Sequence, residues 1–87
     1  MKYYIVLEVD SSEYDEPVIH LLTQDKDRAY SIAERLAQEK YRQVKNESDS
    51  DVNIEKFPKY WYIEECSGSQ RWWSCEYQVI EMEVEHL

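Results

Sequence analysis

Eighty-seven residues with one glycine and two prolines make a single small domain, the whole span 1–87, built on one compact core. A hydrophobic content of 43% with 14% aromatics excludes a disordered chain, and no run approaches the roughly 18 apolar residues of a membrane span. A formal charge of −9 disfavours direct binding of nucleic acid or an anionic membrane and favours a basic partner.

The N-terminal residues reach an acid at Glu8, which does not fit a signal peptide, so a cytoplasmic protein is expected. Residues 2–10 alternate, with Tyr3, Ile5, Leu7 and Val9 on one face and Tyr4, Glu8 and Asp10 on the other. Val6 breaks the polar side and marks a central strand. Residues 11–17 read as a loop closed by Pro17, and 18–22 as a short apolar strand that completes a hairpin.

A helix is expected over about 25–43. Thr23 or Asp25 caps it, and Asp25 and Asp27 suit the positive end of its dipole. Ala29, Ile32, Ala33, Leu36, Ala37 and Tyr41 form one apolar stripe, so one face packs and the other is wet. Residues 25–45 hold six of the ten basic residues and sum to +2. The flanks, 1–24 and 46–87, sum to −4 and −7. The surplus acid therefore lies on strands and loops, mixed with Tyr and Trp.

Residues 44–57 are polar and predict a long loop, with Val52 and Ile54 touching the core. Residues 59–66 and 71–85 predict a strand pair, with Trp61, Ile63, Trp73, Cys75, Tyr77 and Val79 on the inner face. The adjacent apolar residues Val79 and Ile80 predict a β-bulge or bend. Cys66 then lies on the opposite face from Cys75, so no disulfide is expected. The fold class is α+β: an antiparallel sheet of about four strands, ββαββ, with one helix on one face. The other face is wet or covered by a partner.

That open face should carry Tyr4, Glu8, Tyr60, Tyr62, Glu64, Glu76 and Gln78, with Trp72 near the turn. Tyr and Trp suit protein interfaces, although cross-strand aromatic pairs also simply stabilise sheets. Glu81, Glu83 and Glu85 share a face about 6.7 Å apart, a spacing near that of neighbouring phosphates. The plainer reading is a charged strand that resists aggregation. Residues 49–55 begin like a calcium loop but put Ile54 where glycine is required. No cofactor or metal is expected. His20 and His86 lack motif partners, and Cys75, with which His20 could pair, is more often a small core residue.

The expectation is a non-enzymatic acidic module that binds a basic protein surface. In size, charge and layout it resembles the small acidic inhibitors of phages and mobile elements, of anti-CRISPR or anti-restriction style, that mimic nucleic acid. No motif carries that likeness, so it assigns no residue. The alternatives are a small regulatory or ligand-binding domain and a homodimer that covers the open face.

Overall fold

A computed structural model describes residues 1–11 and 17–85. The strands are β1 (Lys2–Asp10), β2 (Val18–Thr23), β3 (Asp51–Lys56), β4 (Tyr60–Ser67) and β5 (Gln70–Glu83), with one helix, α1 (Lys26–Glu47), between β2 and β3. The strands form one antiparallel sheet in the order β2-β1-β5-β4-β3. The α+β class and the single packed helix are as expected, but the sheet has five strands rather than four. Most of the expected 11–17 loop, and His86, lie outside the described residues.

The extra strand comes from the segment expected to be a loop. The helix continues to Glu47, and 51–56 pairs with β4. Val52 and Ile54 alternate with Asp51, Asn53 and Glu55. The first pair packs at the margin of the core and the second set meets solvent. Polar composition had masked a period of two. In this extended conformation, the calcium-like run does not wrap as a loop.

The long central strand β5 organises the sheet. Its 14 residues, at about 3.3 Å each, cover most of the 52 Å long axis. Val79 lies opposite Val6, and Cys75 opposite Ile63. Those pairs define the inner face: Tyr4, Val6, Trp61, Ile63, Cys75, Tyr77 and Val79, all buried. The pairing of β1 with β5 passes 79–80 without a register shift, so the expected bulge is absent. Ile80 simply faces the other side. The shifts occur instead between Val6 and Leu7 against β2, and between Glu65 and Cys66 against β5.

The helix starts where the side-chain chemistry directs. The Asp25 carboxylate accepts from the Arg28 N–H at 3.1 Å, and the Thr23 hydroxyl accepts from the Asp25 N–H at 3.1 Å. Ala29, Ala33 and Ala37 have no exposed surface, so the small side chains bring the helix axis close to the sheet. Tyr30 tilts onto Trp61, with ring centroids 6.3 Å apart. At the other end, the Ser48 hydroxyl donates to Glu65 at 2.7 Å and ties the helix exit to β4. Between β4 and β5, Gly68 takes a φ of 62°, which a two-residue hairpin turn needs and glycine adopts without strain.

Two substitutions test this packing. Ile63→Ala leaves a cavity at a fully buried site and should lower stability by about 2–5 kcal/mol. Ala33→Leu should lower it by about 1–3 kcal/mol by forcing the helix off the sheet. Urea denaturation measures both. A change below about 0.5 kcal/mol for either would contradict the packing described.

Candidate functional site

Among the described residues, the helix covers one sheet face and leaves the other bare. The strand register places Tyr60, Tyr62, Glu64, Glu76 and Gln78 there, as expected, and adds Ser74, with Trp72 60% exposed near the turn. The Arg71 guanidinium donates to the Tyr62 hydroxyl at 2.9 Å, and that hydroxyl donates to Glu64 at 3.2 Å. Gln78 donates to Glu76 at 2.8 Å. The alternation of β3 adds Asp51, Asn53 and Glu55 at the margin. Acids and tyrosine hydroxyls thus occupy the half of the face formed by β3, β4 and the first part of β5.

Strand β1 is inverted relative to expectation. Tyr4 is in the core, 9% exposed, and Glu8 faces the helix side, so neither belongs to the open face. The physical reason is that both parities of β1 are apolar. Pairing Val6 with Val79 seals the core and sends Tyr3, Ile5, Leu7 and Val9 outward. They adjoin Ile19 and Leu22 of β2, 65% and 57% exposed, and Ile80 and Met82 of β5. Among the described residues, the part of this face from Tyr3 to Leu7, with its β2 and β5 neighbours, carries no charged side chain, and Glu76 opposite Val9 marks its boundary. Sequence reasoning missed it, although Val6 and the Val79–Ile80 doublet, each breaking an alternation, were the available signals.

The acidic row does not join the open face. Glu81 and Glu83 have the parity of Tyr77 and Val79 and lie on the helix side, past the core. Glu81 pairs with the Lys2 ammonium at 3.0 Å, and Glu83 with the N-terminal ammonium at 3.2 Å. The Lys2 contact pushes the Glu81 carboxyl below its ordinary range and the Lys2 ammonium above its own. Glu85 is exposed beyond the strand.

A second cluster lies at the opposite end of β1, on the helix side. Glu8 Oε1 lies within hydrogen-bond distance of His20 Nε2 at 3.0 Å, and Glu8 holds the Tyr77 hydroxyl. Asp10 accepts from the Trp73 indole N–H at 2.7 Å. Donor atoms of Glu8, Asp10 and Cys75 fall within 4.8 Å of one another. The carboxylates are engaged with protein donors, and Cys75 keeps its proton. Burial first, then the Glu8 and Asp10 charges, push its thiol from 9.0 up to about 12. Burial and the bond to Glu8 push the Tyr77 hydroxyl up as well. A protonated, fully buried thiol offers neither a thiolate nucleophile nor a ready metal ligand. The two cysteines are free, Cys66 partly exposed and Cys75 buried.

Thiol labelling of the folded protein should modify Cys66 alone, with Cys75 reacting only in denaturant. Rapid labelling of native Cys75 would contradict its burial. The raised thiol also sets a pH window. Below pH 9 both states keep the proton. Above it the unfolded chain ionises first, so this contribution to stability drains away between pH 9 and about 12. The urea midpoint should fall over that range, and less steeply in Cys75→Ala.

Among the described residues no helix is long and apolar enough to cross a membrane. Compared with known proteins, the chain matches no family model, no curated protein and no solved structure.

Proposed function

We propose that the chain is a non-enzymatic interaction module whose open sheet face docks onto another protein. The observation that carries this reading is the division of that face. A charge-free apolar half, containing Ile19, Leu22, Ile80 and Met82, adjoins an acidic and aromatic half with Tyr60, Tyr62, Glu64, Trp72 and Glu76. Burial of the first half supplies affinity, and the second selects and steers a basic surface. The net charge of −9 acts in the same sense at long range.

A nucleic-acid mimic of anti-restriction or anti-CRISPR style is one form of this reading. Its acids would be Glu55, Glu64 and Glu76 on the open face rather than the row at Glu81, Glu83 and Glu85. Two of those three are already paired with cations and point to the other side. The homodimer is the second reading, favoured by the absence of charge from the apolar half. Two copies could meet there with their acids at the rim, which avoids the cost of burying like charges.

Affinity capture with mass spectrometry tests the main reading. Tyr62→Ala should cost about 2 kcal/mol, roughly 30-fold in affinity. Glu64→Lys should slow association, most visibly at low salt where the Debye length is roughly 30 Å. The Glu81/Glu83/Glu85→Lys triple should keep its partner. The reading is lost if no basic protein is captured, or if only the triple loses one. A mass of two chains by light scattering, dispersed by Leu22→Asp, would establish the dimer instead.

A further inference from the structure

We propose that the free edge of β5 beyond Gln78 is a docking site for the extended C-terminal segment of a partner protein, added to the sheet as a sixth strand. The edge exists because the two central strands differ in length. Strand β4 begins at Tyr60, opposite Gln78, whereas β5 continues to Glu83. Before Tyr60 the chain turns away, closed by the Phe57 N–H donating to the Tyr60 carbonyl at 2.8 Å. Residues 80–83 are therefore paired with β1 on one side, and among the described residues with no strand on the other.

The backbone groups on that side point outward. The Val79 N–H donates to the Lys59 carbonyl at 2.9 Å, and the Val84 N–H donates to the Met1 carbonyl at 2.8 Å. Odd residues of β5 thus aim at the β4 side and even residues at β1, as strand alternation requires. The amide and carbonyl groups of Glu81 and Glu83 then line the open side. They border a groove of about 570 Å³ shared with Lys2, Lys59, Tyr60 and Ile80.

Side chains and direction define the occupant. On the open-face side, Ile80, Met82 and Tyr60 favour apolar residues at every second position of an added strand. On the helix side Glu81 and Glu83 are matched by Lys2 and the N-terminus, while Lys59 makes no ion pair within 4 Å among the described residues. A strand antiparallel to β5 would run in the direction of β4, so its C-terminus would arrive at Lys59. A terminal carboxylate there would meet the Lys59 ammonium, which otherwise acts on Glu81 only at longer range. A second copy of this edge fits worse, because antiparallel pairing of two such strands sets Glu81 and Glu83 against the same pair of acids.

The probe is an acetylated peptide of about six residues, alternating valine and threonine, with a free carboxylate; at about 3.3 Å per residue it spans the edge. Amide shifts of the labelled protein should move at residues 79–83. Amidating the peptide terminus, or Lys59→Gln, should weaken binding about tenfold. N-methylation of the alternate amides that face β5 should abolish it, and N-methylation of the other set should not. Absence of shifts at 79–83, indifference to which amides are methylated, or equal binding of the amidated peptide each overturns the proposal. So does a dimer that occludes the edge. Tyr62→Ala should leave peptide binding unchanged, so failure of this site and failure of the open-face reading are separable.

Discussion

Two cross-strand pairs, Val6 with Val79 and Ile63 with Cys75, determine nearly everything else about the molecule. They choose which parity of each central strand is covered by the single helix. Because side chains alternate strictly, that choice propagates outward along β1, β4 and β5 and leaves no residue free to change sides. The three alanines of α1 complete the constraint. With no bulk to hold the helix away, the aromatic residues beneath it, Trp61 and Tyr77, fill the space between helix and sheet. A molecule with one helix and five strands must then present a bare face, and the register dictates its chemistry.

How much of this was legible depended on how unambiguous each alternation was. The helix was plain because Ala29, Ala33 and Ala37 repeat at a helical period within a charged background. Strands β4 and β5 were plain because Trp61 and Ile63 alternate with Tyr60, Tyr62 and Glu64. Strand β1 was not, since Ile5 and Leu7 are as apolar as Tyr4 and Val6. Only a tertiary neighbour, β5, breaks that tie. Strand β3 was hidden by composition: Val52 and Ile54 are two apolar residues among acids, and an edge strand needs no more. The same ambiguity explains Ile80, whose side chain follows Val79 not because the strand bulges but because both sides of it are apolar.

The candidate site was legible in its polar half and illegible in its apolar half, for the same reason. Tyr62, Glu64 and Glu76 could be placed from local pattern alone. Ile19, Leu22 and Met82 become a surface only when β2, β1 and β5 are set side by side. Conversely, Glu81 and Glu83 looked like a free acidic row because Lys2 and the N-terminus, their partners, lie at the far end of the sequence. Sequence proximity overstated that row, and sequence distance concealed the patch. On the proposed reading the face would combine apolar grip with acidic selection, beside a strand edge that no strand covers among the described residues.

The charge-free half-face also bears on how the molecules behave as a population. Exposed isoleucine, leucine and methionine without a protective lysine or glutamate would ordinarily make neighbouring copies adhere. Here protection is delegated to the molecule as a whole. A sequence isoelectric point near 4.6 leaves every copy strongly anionic at neutral pH, and that mutual repulsion opposes contact between the apolar halves. The basic partner proposed above would meet attraction in place of that repulsion. On the proposed reading, the same surplus charge that opposes contact between identical chains would favour the landing of a different one.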